Sequence, residues 1–158
     1  MKRSERPTAI QVRIGQRSIK IRLPELQSFA EIACAVVSNH KRLGFASASN
    51  PMIGVAIISD RQMAKLHQQF SGIAGPTDVL TFHHGEIVVS AETARRQARA
   101  FGTTTEDELR LYILHGLLHL CGFDDTSARA RAAMRQVQDQ SLGDALRRER
   151  RLKKPQPV

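Results

Sequence analysis

Residues 105–125 read TEDELRLYILHGLLHLCGFDD. Thr105 followed three residues later by Glu108 is the pattern of a capping box, in which each side chain satisfies a backbone N–H of the first helical turn. The run from Leu109 to Leu120 is almost wholly apolar, so the helix it forms belongs inside the protein. Gly122 stands where a helix C-terminus favours glycine. Within this helix His115 and His119 are four residues apart, which places both imidazoles on one face, one turn from each other. Two imidazoles among Leu114, Leu117, Leu118 and Leu120 need partners, because an unpaired buried polar group is costly. A metal ion satisfies both. Gly116 is a poor helix former, costing ~1 kcal/mol relative to alanine; its position between the histidines implies that something approaches the backbone closely there. Past the glycine turn, Asp124 and Asp125 follow. Asp125 supplies a carboxylate as a third ligand, and two histidines with one carboxylate leave a coordination position open for water, the catalytic arrangement. The competing reading is a pair of core histidines with Asp125 capping a helix that starts near Thr126. Gly116 stands where the zinc-peptidase helix has its glutamate base, so peptidase chemistry is disfavoured.

Working outward, Ile10, Val12 and Ile14 alternate with polar residues as in a half-buried strand. Ile19, Ile21 and Leu23 repeat the pattern and suggest a hairpin with it. Pro24 suits a helix start, and Leu26, Phe29, Ala30, Ala33, Val36 and Val37 carry helical spacing to about Asn39. Residues 53–58 form a short apolar run typical of a central strand, followed by Asp60 as N-cap and a helix marked by Met63, Leu66 and Phe70. Residues 71–76 form a loop. Strands are expected over 78–82 and 86–89, joined tightly at His83-His84-Gly85, then a helix from Ser90 to near Gly102. Ser127 opens a last polar helix, and residues 1–7 and 146–158 are expected to be loose. The sum is a single α+β domain: a small mixed four-stranded sheet packed with about five helices, with the metal site on a central buried helix.

The chain has 158 residues, of which 41% are hydrophobic and 4% aromatic, with no Trp. That is enough for one domain with an aliphatic core, while stacking platforms for single-stranded RNA are scarce. The formal charge of +9 points to nucleic acid or another acidic partner. Residues 145–154 carry six basic residues and one acidic residue; Arg147, Arg148, Arg150, Arg151, Lys153 and Lys154 are the candidate phosphate contacts. Cys34 and Cys121 form no CxxC pair, which fits a reducing cytoplasm. No apolar run reaches the ~18 residues of a membrane span, and the N-terminus has no signal-peptide pattern.

The run HGLLHLCGFDD at 115–125 resembles the motif H-G-x-L-H-L-x-G-Y-D-H of the YbeY family, with Phe123 for the tyrosine. Residues 76–82, PTDVLTF, resemble the family's TDVLSF strand. Residues 85–90, GEIVVS, followed by Glu92-Thr93-Ala94, resemble its G-D-I-V-I-S…E-T-A segment. The three stretches keep order and spacing, and the resemblance covers roughly residues 50–127. It implies an α+β fold, a zinc-type divalent metal, single-strand-directed endoribonuclease activity, and a role in 3′-end processing of small-subunit ribosomal RNA and in ribosome assembly. Ribosomal RNA and small-subunit proteins or assembly factors are then the partners. By position, the ligands are His115, His119 and Asp125. The family's third ligand is usually histidine; Asp125 adds negative charge and makes a weaker Lewis acid. An arginine that the family carries shortly before the TDVLSF strand is replaced here by Ser71.

Thr77 and Asp78 are either partners that orient a ligand histidine or a cap at the strand start. Asp124 is the acid–base candidate by position. Cys121 is a thiolate ligand or a small buried filler, the second favoured. His83 and His84 read as exposed turn residues, and His67 stands where the family usually has asparagine. The expected function is therefore a metal-dependent endoribonuclease. The rivals are a non-catalytic, metal-stabilised ribosome assembly factor and a hydrolase of another substrate, which the missing glutamate and the positive charge disfavour. Zinc is the expected metal, though the same ligands suit nickel, copper or iron.

Overall fold

The computed structural model describes residues 9–40 and 52–155; the expected loose segment at 1–7 and the last three residues of the tail lie outside them. In chain order the elements are β1 (Ala9–Ile14), α1 (Leu23–Ser38), β2 (Met52–Ile58), α2 (Asp60–Ser71), β3 (Val79–Phe82), β4 (Glu86–Ser90), α3 (Ala91–Phe101), α4 (Thr105–Leu120) and α5 (Ala128–Lys153). The sheet order is β1-β2-β4-β3. β1, β2 and β4 are parallel, and β3 runs antiparallel to β4. Parallel neighbours need a crossover, and α1 supplies it between β1 and β2.

Strand alternation sends two sets of side chains to opposite faces. Ile10, Val12, Ile53, Val55, Ile57, Ile87 and Val89 join Phe29 and Ala33 of α1 and Leu109, Ile113, Leu114 and Leu117 of α4 in the main core. On the other face Ala56, Ile58 and Val88 pack with Met63 and Leu66 of α2. Helix α4 is buried on nearly every side and is the central helix of the fold. Gly116 is the reason it sits so close to the sheet. A Cβ there would stand 2.6 Å from Ile87 Cγ2 and 3.0 Å from its Cδ1. Ile87 is fully buried and branched at Cβ, so it has little freedom to withdraw.

Four local expectations are corrected. Residues 19–23 form no second strand: β1 instead takes β2 as its parallel partner. The Gln16 side chain closes a turn by accepting from Ile19 N–H (2.9 Å) and donating to its carbonyl (2.8 Å), while Ile19 and Ile21 pack against the core from an irregular segment. The cap of α2 is Ser59, which forms a capping box with Gln62. The cap of α4 is Thr104, whose side chain accepts from Asp107 N–H, while Glu108 accepts from Thr103 Oγ1 at 2.8 Å. The expected loose tail is helical as far as Lys153. It is anchored by a buried ion pair from Arg110 on α4 to Glu149 at 3.2 Å.

Released from capping, Asp60 ties three elements together. It accepts from Ser90 Oγ (2.5 Å) at the end of β4 and from Thr93 Oγ1 (2.7 Å) on α3, and it pairs with Arg96. Burial pushes the Asp60 carboxyl up, but the bonds from Arg96, Ser90 and Thr93 and the Arg96 charge outweigh it, leaving the group below the usual carboxylate range. Its stabilisation is therefore present above the ordinary value of 3.8 and is lost as pH falls through the lower folded value. Asp60→Asn is expected to cost about 1 kcal/mol near neutral pH, with the gap from wild type closing in acid, as read by urea denaturation at several pH values. Gly116→Ala gains about 1 kcal/mol of helix propensity but forces a methyl into Ile87 at a cost of about 1–3 kcal/mol. A lower denaturation midpoint with an unchanged slope is the expected result.

Candidate metal centre

Beyond its first turn α4 is mostly buried, yet His115 and His119 are both partly accessible. Their Nε2 atoms face each other at 3.0 Å, with ring centroids 4.7 Å apart and planes at 81°. The helix ends immediately afterwards in a Schellman turn. Phe123 N–H reaches Leu118 O (3.1 Å), Gly122 N–H reaches His119 O (3.0 Å), and Gly122 takes φ +96°, which glycine adopts without strain. That reversal brings Asp125 back toward the histidines, its Oδ2 lying 3.9 Å from His119 Nε2. One ligand atom from each of the three residues lies within 4.8 Å of the others.

What lies behind the rings decides their chemistry. His119 Nδ1 is 3.0 Å from the Phe123 carbonyl, and His115 Nδ1 is 2.7 Å from Gln138 Oε1 on α5. Both oxygens accept, so both Nδ1 atoms carry the proton and both Nε2 atoms present bare lone pairs. Two lone pairs at 3.0 Å beside a carboxylate repel one another unless a cation sits among them. Burial lowers the pKa of His119, and the neighbouring His115 lowers it further against the opposing pull of Asp125, the Phe123 carbonyl and Asp124. The ring is thus held in the neutral form that ligates metal. The donor set fits a divalent ion of zinc type: tetrahedral bonds of ~2.0–2.1 Å place neighbouring ligand atoms about 3.3 Å apart, and the three ligand atoms lie within 4.8 Å of one another, with the exposed Asp125 carboxylate 3.9 Å from His119 Nε2.

The other predicted residues fall elsewhere. Thr77 and Asp78 are not the partners of the histidines: Asp78 Oδ1 accepts from Thr77 Oγ1 (3.2 Å) and from Val79 N–H (2.8 Å), capping the start of β3. Asp124 bonds back to its own turn, accepting from Thr126 N–H (3.3 Å) and Oγ1 (3.0 Å). Cys121 stands outside the ligand cluster, fully buried, its thiol pushed up to about 12 by burial and by nearby Cys34. His83 and His84 are exposed, His67 is 2.8 Å from the Gly75 carbonyl, and Ser71 ends α2 on the surface. Arg147 pairs with Asp144 and Lys153 with Glu149. Arg148, Arg150, Arg151 and Lys154 form no ion pair among the described residues. At 1.5 Å per residue, this basic end of α5 begins roughly 14 Å from Gln138, and Lys153 is roughly 22 Å from it. The residue that sequence reading missed is Gln138, 23 positions from His115. An amide on a polar helix carries no signal of its own until α5 is seen lying along α4.

Comparison with known proteins gives a consistent result. The family model described as endoribonuclease YbeY matches residues 11–145. Among relatives named "Endoribonuclease YbeY", one from Synechococcus sp. (strain CC9605) is 36% identical over 137 residues, covering 77% of this chain and 82% of its own length. Another, from Aquifex aeolicus (strain VF5), is 31% identical over 115 residues, covering 66% and 71%. The solution structure of TM1509 from Thermotoga maritima superimposes with a TM-score of 0.64 at 26% identity, covering 94% of this chain and 97% of that one. No described helix is long and apolar enough to cross a membrane.

Gln138→Leu removes the acceptor behind His115 and frees that ring to turn. It is expected to weaken zinc binding about 10- to 100-fold while leaving the thermal midpoint of the metal-free protein little changed. Titration calorimetry and a melt on the same samples check both.

Proposed function

The chain belongs to the YbeY family, and from that premise we propose that it is a metal-dependent, single-strand-specific endoribonuclease acting in 3′-end maturation of small-subunit ribosomal RNA and in ribosome biogenesis. Support for RNA hydrolysis comes from the relatives, which carry the name endoribonuclease. Metal dependence rests on one observation: the bare Nε2 atoms of His115 and His119 converge beside the Asp125 carboxylate. Zinc is the ion we assign, from two neutral imidazoles and a carboxylate in a half-buried setting. A divalent ion held there supplies a Lewis acid that polarises a water molecule or a phosphodiester oxygen.

The protein's own groups have separable tasks. Gln138 and the Phe123 carbonyl fix the two rings so that Nε2 points into the site. Asp125 is exposed and leaves an open side for a substrate. Asp124 is the nearest further carboxylate, close enough for its charge to act on His119; we assign it proton transfer, with one of its oxygens held by Thr126. Arg147, Arg148, Arg150, Arg151, Lys153 and Lys154 hold the RNA backbone without reading its sequence. Their distance from the metal suits a substrate several nucleotides long. Ribosomal RNA, with small-subunit proteins or assembly factors, is the partner set this role implies, and the cytoplasm is its place.

A second reading, a non-catalytic assembly factor stabilised by its metal, is favoured by the tethering of Asp124 to its own turn and by the charge that Asp125 adds to the site. A precursor small-subunit rRNA 3′ fragment incubated with wild type and with His119→Ala, prepared identically, separates the two. Cleavage by wild type alone, with a loss of about 100-fold or more in the variant, is the expected result. Equal cleavage by both assigns the activity to a contaminant or another site. No cleavage by either supports the assembly-factor reading.

A further inference from the structure

Helix α2 covers only part of the second face of the sheet, where Met63 and Leu66 pack on Ala56, Ile58 and Val88. One row further along, Phe82, Glu86, Gly54 and Gln11 are direct neighbours in register across all four strands. This row reaches the surface: Gln11 is exposed, and Glu86, Gly54 and Phe82 are partly accessible. Gln11, Gly54 and Glu86 of this row, together with Arg13, Met52, His84 and Gly85, border a cavity of about 290 Å³, and Phe82 stands beside it in the row. Gly54 is its floor. Arg13 Nη2 bridges over to Glu86 Oε1 at 2.6 Å, and a side chain at position 54 would run into the Glu86 carboxylate.

Aromatic rings flank the same row. Phe82 meets Phe70 edge-on at 5.0 Å and stacks on His84 at 5.8 Å with planes 28° apart. Phe70 is 58% exposed, and His84 also faces solvent. An exposed benzene ring on a solvated helix end is costly to leave in water, and two more rings beside it make a platform of a kind that neutral, flat ligands stack on. The polar half of the cavity has the complementary chemistry. Its cation and carboxylate neutralise each other, so it is poorly suited to a phosphate. Gln11, Arg13 and Glu86 together offer hydrogen-bond donors and acceptors, as the edge of a heterocyclic base requires. β3, at the free edge of the sheet, connects this face to the metal side: α4 packs on one side of it, and Phe70 touches Phe82 on the other.

We propose that this surface is a nucleobase subsite, holding an unpaired base of the RNA by stacking on the Phe70–Phe82–His84 rings while the strand passes around the edge of β3 toward the histidines. The subsite rests on the endoribonuclease reading and gives it a structural source of preference for single strands, because a base within a duplex has no free face to stack.

The test is fluorescence anisotropy with a short single-stranded RNA, shown to be intact afterwards, and with an abasic oligonucleotide of the same length. Wild type is compared with Phe70→Ala, His84→Ala and the double variant; both side chains are exposed, and unchanged melting curves establish that each variant folds. The double variant is expected to lose about 5- to 100-fold in affinity for the RNA, with the salt dependence of binding unchanged because no phosphate contact is removed. Its affinity for the abasic oligonucleotide should equal that of wild type. Undiminished RNA binding by the variants, as would follow if the patch docks a protein, overturns the subsite and leaves the nuclease reading intact. An equal loss on the abasic oligonucleotide also overturns it. A wild type that binds neither oligonucleotide removes both.

Discussion

Helix α4 meets the sheet through a contact with no room for a side chain, Gly116 against Ile87, and the remaining architecture is arranged around that depth. Because the helix backbone lies on the strands, Leu109, Ile113, Leu114 and Leu117 reach the main core in full, and α1, α3 and α5 pack around the sides. His115 flanks the contact glycine directly, and His119 follows one turn on. Their imidazoles inherit the rigidity of a packed helix, and α5 reaches one of them through Gln138. The close approach therefore acts on stability and site geometry at once, since an alanine would lift the ligand-bearing turn away from Ile87.

The parts of this arrangement written in contiguous sequence were legible. The apolar run, the polar residues before it and Gly122 after it locate α4, and the four-residue spacing places two imidazoles on one face. Position was off by one at the caps because Thr103, Thr104 and Thr105 are chemically alike, and only the backbone shows that Thr104 reaches Asp107 N–H. The hairpin expected at 19–23 failed for a different reason: alternation reports burial of one face, and an irregular segment held by Gln16 buries Ile19 and Ile21 equally well. The tail looked too polar to be ordered, since a buried Arg110–Glu149 pair is invisible without knowing that residues 39 apart are in contact. Gln138 and the Phe82–Glu86–Gly54–Gln11 row were illegible on the same ground. Each is a property of a pairing between elements, whereas periodicity describes one element at a time.

Besides the apolar contacts of Met134 and Ala145 in the core, two side-chain bonds join α5 to α4, and they differ in character. At one end Gln138 Oε1 accepts a neutral hydrogen bond from His115 Nδ1, leaving Nε2 bare; at the other, Arg110 and Glu149 form an ion pair with little solvent contact, supported by Lys153 and by the face of Phe29 under the guanidinium. Removing Glu149 leaves the Arg110 guanidinium, only 10% exposed, with the more distant Asp107 alone, so this end serves mainly as an anchor. The division keeps the strongest electrostatics of the helix pair away from the histidines, whose bare Nε2 atoms face the candidate metal site.

The third member of the His115–His119–Asp125 cluster is attached differently from the other two. His115 and His119 are locked by the packing of a central helix, but Asp125 stands on an exposed turn whose path is set by backbone bonds from Gly122 and Phe123. Even the bond it receives from Arg131 goes to its carbonyl, not to its side chain. Position 125 is thus nearly free of structural duty. In evolutionary terms this uncouples change at this member of the cluster from change in the scaffold: a substitution here retunes the charge of the site with little resistance from folding.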